Sequence, residues 1–407
     1  MKINDLNEKI LFEKYLESDI NNREINIFNI KDVQITGDNL FYPNCLIYSN
    51  DKLINPINEL VMSLKNLNSE IDFKFASIEA SKNIYDPVFF FIYNTDNYYH
   101  FIYDTLPYLI SYRHLKSKIN NLKLLMNFPN YESKSFYPFV LEFLEILDIK
   151  EDDILLVDDK NIYSDIYISS SYTHDINSEL PPRKEIYDLY EEIVKIVNSK
   201  STNNIVYPKK IYISRRTWLH NNFSNIGTNY TTKRKMVNED ELVNILIKNG
   251  YTEVFTENLS TIEKIEMFSN AENVIGAIGG GLCNVLFSNE NTELIAIISP
   301  TFLDVNNRFL YSFSNVKTKL FKDTSHTEHG YWKKYMRVKS NTGIIGEIED
   351  IIDNKLLIMY TDKKIAGWNS QLKLDSILIE NDICERLDAG LNSPWMVNIE
   401  EIVNFLI

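Results

Sequence analysis

The chain has 407 residues and a formal net charge of −15 at pH 7. This charge argues against nucleic acid as a partner, because a phosphate backbone is bound by clustered Lys and Arg. Hydrophobic residues make up 44% of the chain and charged residues 24%, which is typical of a globular protein rather than a disordered one. The length is sufficient for two domains with hydrophobic cores and a small appendage.

The cysteines and the N-terminus indicate the cellular compartment in which the protein is expected. Three cysteines, Cys45, Cys283 and Cys384, are far apart and odd in number, which fits neither a disulfide framework nor a zinc site. The N-terminus is charged throughout and lacks the apolar core of a signal peptide. No stretch approaches the ~20 apolar residues of a membrane span. We therefore expect a cytoplasmic protein without a membrane span, and peripheral contact with a membrane stays open.

The first half of the chain alternates between strands and helices. Residues 25–57 are predicted to form short strands, and an amphipathic helix over 181–198 leads into the polar segment 199–204. Between them, buried strands are predicted over 87–94, 121–128 and 152–159, and helices over 100–114 and 135–149. This alternation is typical of a parallel α/β sheet, and segment 199–204 is predicted to be a domain boundary.

The second half repeats the alternation more regularly. Strands are predicted over 210–216, 251–258, 273–278 and 293–299, and helices over 238–250 and 260–271. Asn238 with Glu241, and Ser260 with Glu263, have the spacing of helix-capping boxes. This pattern predicts a doubly wound domain whose ligands bind beyond the carboxyl ends of the strands. From about residue 336 the pattern changes to short strands and turns, which predicts a small β-rich module.

Three consecutive glycines, Gly279, Gly280 and Gly281, follow the predicted strand 273–278. A dinucleotide-binding loop is disfavoured because the third glycine position of that motif is Asn284, and the next strand ends without an acid for a ribose. A tight turn with close helix packing is one remaining interpretation. The other is a helix N-terminus that holds a diphosphate with its N–H groups and dipole.

Several blocks along the chain together resemble glycosyltransferase family 61. They are "NYYHFIYDTLPYL" (97–109), "YISRR" (212–216), "RKMVNEDEL" (234–242), the segment 258–287 with the glycines, and "TELIAIISP" (292–300). The resemblance covers about residues 90–300, and it rests on the order and spacing of five blocks.

The resemblance implies an inverting hexosyl- or pentosyltransferase that moves a sugar from a nucleotide-sugar donor to a glycan or polysaccharide hydroxyl in surface-glycan biosynthesis. It implies a GT-B-like pair of doubly wound, Rossmann-type domains with a cleft between them. We expect an acceptor-side α/β domain over 1–200, a nucleotide-sugar-binding domain over 205–335 and the β-rich module over 336–407.

His100 and Asp104 are the candidate catalytic residues. They are four residues apart and therefore neighbours on one helical face. Asp104 is expected to take the proton of the acceptor hydroxyl, while His100 orients it or binds the donor phosphate, and exchanged roles stay open. A helix-stabilising surface contact is the alternative interpretation.

The candidate donor-binding residues lie in the second domain. Arg215 and Arg216 end a predicted strand, where one guanidinium, not decided between the two, is expected to neutralise the leaving diphosphate. A salt-bridged surface pair is the alternative interpretation. Arg234 and Lys235 form either a second phosphate clamp or an exposed turn. Glu239 and Asn284 are donor-binding candidates that could also serve as helix caps, and the glycines Gly279, Gly280 and Gly281 complete the set.

No Asp-x-Asp pair occurs in the sequence, so we expect no metal and no cofactor besides the donor substrate. Two positions depart from the family pattern: Ile278 stands where a His is usual, and Ala296 stands where a Glu is usual. These departures keep open an alternative, a non-catalytic protein that binds sugar nucleotides or glycans on the same fold. An NAD-dependent oxidoreductase is disfavoured by the glycine spacing.

Overall fold

The computed structural model describes residues 11–14, 25–36, 46–49, 52–54, 80–93, 95, 97–128, 135–173, 181–201, 205–216, 236, 238–299, 310–322, 337–340, 345–352, 355–361, 372–380, 384–388 and 395–406. The chain divides into two compact units, which are residues 1–199 with 306–312 (unit 1) and residues 200–305 with 313–407 (unit 2). Both units have a mixed α/β fold with parallel strands. Within the described ranges, no helix combines the length and apolar character needed to cross a membrane.

Unit 1 is built on one mixed sheet. Its strands are β1 (Leu11–Lys14), β2 (Asn26–Thr36), β3 (Leu46–Ser49), β4 (Lys52–Ile54), β5 (Lys82–Ile84), β6 (Val88–Phe90), β7 (Lys123–Met126), β8 (Ile154–Leu156) and β9 (Asn161–Ser169). Its helices are a π-helical turn (His100–Thr105), α1 (Tyr108–Lys116), α2 (Pro138–Ile146), a 3₁₀ turn (Glu151–Asp153) and α3 (Glu185–Lys200).

The sheet order of unit 1 is β4-β3-β2-β9-β6-β7-β8. Strands β9, β6, β7 and β8 are parallel to their neighbours, whereas β2 joins β9 in the antiparallel sense. The carboxyl ends of β6 and β9 therefore lie side by side at one edge of the sheet. Strand β6 is fully buried, as its run of apolar residues predicts.

The predicted helix over 100–114 is divided in two. Pro107 has no N–H to donate to the carbonyl one turn earlier, so an α-helix cannot continue through it. Before it, the N–H of Leu106 donates to the carbonyl of Phe101, a π-type bond of 2.7 Å. The carbonyl of Ile102, which an α-helix would have used, instead accepts a 2.6 Å hydrogen bond from the hydroxyl of Tyr190 on α3. The π-helical turn is thus stabilised by a second helix.

Unit 2 contains a five-stranded parallel sheet. Its strands are β10 (Lys210–Ile213), β11 (Thr252–Val254), β12 (Asn273–Ala277), β13 (Glu293–Ile298) and β14 (Lys317–Lys322). Its helices are α4 (Glu239–Lys248), a 3₁₀ turn (Thr256–Asn258), α5 (Thr261–Asn270) and a 3₁₀ helix (Leu282–Phe287).

The strand order of this sheet is β11-β10-β12-β13-β14, with every pair parallel. After β10 the chain moves to β11 on one side, and it then returns to β12 on the other side. The carboxyl ends of β10 and β12 therefore flank the point where the strand order reverses. In open α/β sheets the ligand crevice lies at this switch point.

The two predicted capping boxes have different outcomes. At α5 the backbone N–H of Glu263 donates to Ser260 Oγ and the N–H of Ser260 donates to the Glu263 carboxylate, which confirms the box. At α4 the Asn238 side chain makes no capping bond. It exchanges two hydrogen bonds with the backbone of Val397, 159 residues away. Asn238 therefore connects the helix start to the end of the chain.

The rest of unit 2 comprises an antiparallel sheet and a terminal helix. The strands are β15 (Arg337–Ser340), β16 (Ile345–Ile352), β17 (Lys355–Thr361), β18 (Leu372–Glu380) and β19 (Cys384–Asp388), followed by α6 (Ile399–Leu406). Trp395, Val397 and Ile402 lie in the core that includes Tyr212 of β10 and Leu242 of α4. The end of the chain thus completes the core of the parallel sheet, while the predicted boundaries at 200, 205 and 336 stay predictions.

Candidate functional site

His100 and Asp104 form a dyad in unit 1. The loop after β6 leads into the π-helical turn, and this turn places the two side chains 2.7 Å apart, from His100 Nδ1 to Asp104 Oδ2. The other carboxylate oxygen, Oδ1, accepts a 3.3 Å hydrogen bond from the hydroxyl of Thr173, which follows β9. The neighbouring parallel strands β6 and β9 thus bring the dyad and Thr173 to one sheet edge.

The hydrogen bonds of the dyad favour distinct roles for its two residues. A carboxylate only accepts, so Nδ1 carries the proton and Nε2 is the ring nitrogen that can accept one. The His100 side chain is 35% exposed, whereas that of Asp104 is 14% exposed and has donors on both oxygens. This arrangement is that of an imidazole oriented by a partly buried acid.

Arg215 and Gly279 meet in unit 2, at the switch point of the parallel sheet. Arg215 follows β10 and Gly279 follows β12. A Cβ atom added at Gly279 would collide with Nη1 of the Arg215 guanidinium. A cation therefore lies directly against the backbone of the glycine loop, and glycine at position 279 leaves space for it.

Gly281 makes a second close approach, to the turn after β11. A Cβ atom at Gly281 would lie 2.7 Å from Thr256 Oγ1 and 3.1 Å from a methyl carbon of Ile213. Among the described glycines only Gly250 has a positive φ. Gly279 and Gly281 are therefore glycines because neighbouring side chains lie close to their backbone, and not because the backbone conformation is unusual. Gly280 lies between these two contacts and is half-buried.

Arg216 has a different environment from Arg215. Its Nε and Nη2 donate to both carboxylate oxygens of Glu253 at 2.9 and 2.6 Å, and its Nη1 contacts Asp240. The hydrogen bonds that it donates to Glu253 raise the pKa of the guanidinium above its ordinary value. The alternative interpretation, a salt-bridged arginine, thus describes Arg216, whereas Arg215 is the cation at the glycine loop.

Glu239 is a buried acid next to residues 214–216, the segment after β10 that carries both arginines and is called the arginine turn below. It is 1% exposed, and its Oε1 accepts hydrogen bonds from the Tyr212 hydroxyl at 2.9 Å and from the backbone N–H of Arg215 at 2.7 Å. Burial raises its pKa to about 7, although these hydrogen bonds and the nearby arginines act in the opposite direction. The carboxyl thus lies behind the arginine turn, within the core.

Asn284 is also turned inward. It is fully buried, and its side-chain N–H donates to the carbonyl of Gly281 at 2.8 Å, in the 3₁₀ helix that follows the glycines. This bond ties Asn284 to the start of its own helix, but it is not a cap, because it is donated to a carbonyl, whereas a capping side chain accepts from a backbone N–H. Cys283 makes a similar contact with the carbonyl of Gly280. The remaining basic candidates, Arg234 and Lys235, lie outside the described residues.

The two departures from the family pattern have different positions. Ala296 is fully buried in β13, paired with Gly276 and Leu320, and it precedes the carboxyl end of the strand. The Ala296 side chain is therefore part of the buried core. Ile278 follows β12 directly and is buried beside the glycines.

The described residues offer no metal site, and a groove on unit 1 does not include the dyad. No group of three or more His, Cys, Asp or Glu side chains in those ranges is arranged to hold a metal ion. A groove of about 440 Å³ on unit 1 is lined by residues of α1 and α3, such as Arg113 and Glu192. These two side chains form a bidentate ion pair, and neither residue of the dyad lines the groove.

Sequence reasoning missed Thr173 and Thr256. Both carry a hydroxyl and lie shortly after a strand. Thr173 follows β9, and Thr256 follows β11. Their only sequence signal is this position, because their contacts with Asp104 and Gly281 depend on the strand order.

In the comparison with protein-family models, residues 98–295 match the model of glycosyltransferase family 61. This range contains every candidate residue named above, including the dyad, both arginines and the glycine loop. A search of the curated proteins found no match. The chain carries a glycosyltransferase family 61 domain over residues 98–295, and it is a glycosyltransferase.

Proposed function

We propose that this glycosyltransferase is an inverting enzyme that holds the diphosphate of a nucleotide-sugar donor at the Arg215–Gly279 contact. The observation that carries the proposal is the position of this contact. It joins the carboxyl ends of β10 and β12, where a doubly wound sheet binds its ligands.

The chemistry of the donor side fits this position. Cleavage of the bond between the sugar and the diphosphate places negative charge on the leaving phosphate. A guanidinium fixed beside bare backbone can neutralise that charge without reorganising during the reaction. Arg215 is half-buried, so its interaction with the phosphate is less screened than that of a surface cation.

On the acceptor side, His100 is the proposed base and Asp104 the residue that orients it. The acceptor hydroxyl gives its proton to His100 Nε2 and its oxygen bonds to the anomeric carbon. The bond from that carbon to the diphosphate breaks, and the diphosphate leaves with the electron pair. Attack opposite the leaving group inverts the anomeric configuration. Asp104 accepts from Nδ1–H and stabilises the imidazolium that forms.

The remaining elements of the proposal come from the resemblance and from the sequence. They are the GT-B-like two-domain arrangement, a glycan or polysaccharide acceptor in surface-glycan assembly, and a cytoplasmic location. We also propose that no metal ion takes part, because the sequence has no Asp-x-Asp pair and Arg215 offers a cation in its place.

A panel of nucleotide sugars tests the proposal. Hydrolysis and transfer are measured with UDP-, GDP-, CDP- and dTDP-linked hexoses and pentoses, with and without excess EDTA. We expect turnover of at least one donor, retained in EDTA, with a product of inverted anomeric configuration by NMR. Retained configuration, or activity that only a divalent metal restores, would contradict the proposed mechanism.

A further inference from the structure

The carboxyl of Glu239 is hydrogen-bonded to the backbone of the arginine turn and is not exposed to a ligand. Its Oε1 accepts from the N–H of Arg215 at 2.7 Å and from the Ser214 hydroxyl at 3.4 Å. The Ser214 hydroxyl in turn accepts from the N–H of Arg216 at 3.1 Å. Among the described residues, no donor forms a hydrogen bond with the second oxygen, Oε2.

The next residue of α4 holds the other arginine. Asp240 contacts the Arg216 guanidinium, which Glu253 of β11 binds from the other side. The side chains of the first two residues of α4 thus hold the turn after β10 in two ways. Glu239 binds the backbone N–H of Arg215, and Asp240 binds the side chain of Arg216. The Arg215 side chain is directed to Gly279 from this held turn.

We propose that Glu239 is a positioning residue for donor binding, which fixes the Arg215 backbone so that its guanidinium lies against Gly279. This inference rests on the proposed function of Arg215. Glu239 is only 1% exposed, so it acts on a bound donor through Arg215 and not by contact. The length of the Glu239 side chain is essential, because its carboxylate must extend from α4 to the residue after β10 that it binds.

Reach and charge can be separated by three substitutions. Glu239→Gln keeps the length and an acceptor oxygen but removes the charge. Glu239→Asp keeps the charge but is too short by one methylene. Glu239→Met has a similar length, no acceptor and no charge, and it serves as the second test if the aspartate variant does not fold. Glu241→Gln is the matched control, because Glu241 is an exposed acid in the same helical turn.

The experiment titrates UDP, GDP, CDP and ADP into the full-length wild type and then follows the tightest of these in each folded variant. We expect Glu239→Gln and Glu241→Gln to bind within about threefold of the wild type. Glu239→Asp and Glu239→Met should bind at least about tenfold more weakly, because the hydrogen bond that fixes the turn is lost. Aspartate binding like the wild type while glutamine does not would overturn the inference.

A double-mutant cycle and amide exchange complete the test. In an Arg215→Ala background, Glu239→Asp should not weaken diphosphate binding further, whereas additive losses would show an effect independent of Arg215. Hydrogen exchange of the Arg215 amide needs no ligand and should be faster in Glu239→Asp than in the wild type. If the wild type binds no diphosphate, the proposed donor site is wrong, and unchanged amide exchange separately overturns the role of Glu239.

Discussion

The two candidate sites lie at equivalent places in their units but are assembled over different distances along the chain. In unit 1, His100 and Asp104 are four residues apart on one π-helical turn after β6. In unit 2, the Arg215–Gly279 contact joins the ends of two strands, with α4, β11 and α5 between them in sequence. The carboxyl edge of a parallel sheet can thus hold a local pair or a long-range one. Only the local pair is visible in the sequence.

The proposed function gives different chemistry to the two units. Unit 1 offers a proton acceptor oriented by an acid, and unit 2 offers a cation against bare backbone. Under this proposal, variants of the first site should change turnover, and variants of the second should change donor affinity.

The largest expected effect is on turnover in unit 1. His100→Ala should lower kcat about 10²–10⁴-fold, because the proton acceptor is removed. Asp104→Asn should lower it at least ~100-fold, since the amide can impose the wrong tautomer on the ring. Both are measured with saturating donor and acceptor, and folding is checked by circular dichroism.

A third variant of the dyad sharpens this result. Thr173→Val removes only the 3.3 Å hydrogen bond to Asp104 Oδ1 and should lower kcat by less than either dyad substitution. Near wild-type turnover of folded His100→Ala would remove the histidine from the mechanism and leave Asp104 as the proposed base.

The next effect concerns stability, and it distinguishes unit 2 by its dependence on the end of the chain. Trp395 is 1% exposed within the core around β10 and α4. Trp395→Ala should lower the free energy of unfolding by about 3–5 kcal/mol, as large cavities do. Val206→Ala is the control, because Val206 is 93% exposed and should change stability by no more than ~0.5 kcal/mol. Equal effects in denaturant melts would contradict this packing.

A third prediction concerns the pH dependence of stability through Glu239. Burial raises its folded-state pKa from 4.5 to about 7, while Arg215, Tyr212 and Arg216 are the titratable or charged groups that oppose this shift. The folded state therefore binds more protons than the unfolded state in this range. Stability should fall as pH rises from about 4.5 to about 7, by about 3 kcal/mol for a shift of this size.

Glu239→Gln isolates this contribution, because glutamine does not titrate. The variant should be less pH-dependent than the wild type between pH 4.5 and 7 in denaturant titrations. The lowered pKa values of Asp153, Glu185 and Glu192 contribute equally to both proteins and cancel in the difference. Identical pH profiles would show that Glu239 ionises at its ordinary pKa.

The smallest predicted effect compares two glycines of one loop. Gly279→Ala should displace the flexible Arg215 guanidinium and weaken diphosphate binding by about tenfold or less, with little change in stability. Gly281→Ala meets the short Thr256 side chain and Ile213, which cannot move away as easily, so it should lower the melting temperature instead. The reverse pattern would return the glycines to a purely structural role.

Much of the fold was predictable because its signals are local. The buried strands β6 and β7, the helices α2, α3 and α5, and the Ser260–Glu263 capping box follow from periodicity and from residues within one turn. The cap predicted for Asn238 was wrong for the opposite reason. Its hydrogen-bond partner, Val397, is 159 residues away, and no local pattern reports such a partner.

The candidate site was predictable only where its residues are close together in the sequence. The His100–Asp104 pair follows from its spacing, but the π-helical turn depends on the Tyr190 hydroxyl of α3. The two adjacent arginines are equivalent in sequence. Their difference arises from Glu253 and Asp240, which bind one, and from Gly279, which contacts the other. These partners are brought together by strand order, which the sequence pattern does not specify.

The most direct test of the central claim is a parallel titration of one nucleoside diphosphate into the wild type, Arg215→Ala and Asp104→Asn. The probe is whichever of UDP, GDP, CDP and ADP binds the wild type most tightly, and calorimetry gives each Kd. The division of roles predicts that Arg215→Ala raises Kd at least about tenfold, because a charge-assisted hydrogen bond to phosphate is lost. It predicts that Asp104→Asn leaves Kd within about twofold. Unchanged affinity in folded Arg215→Ala, or a comparable loss in Asp104→Asn, would contradict the account.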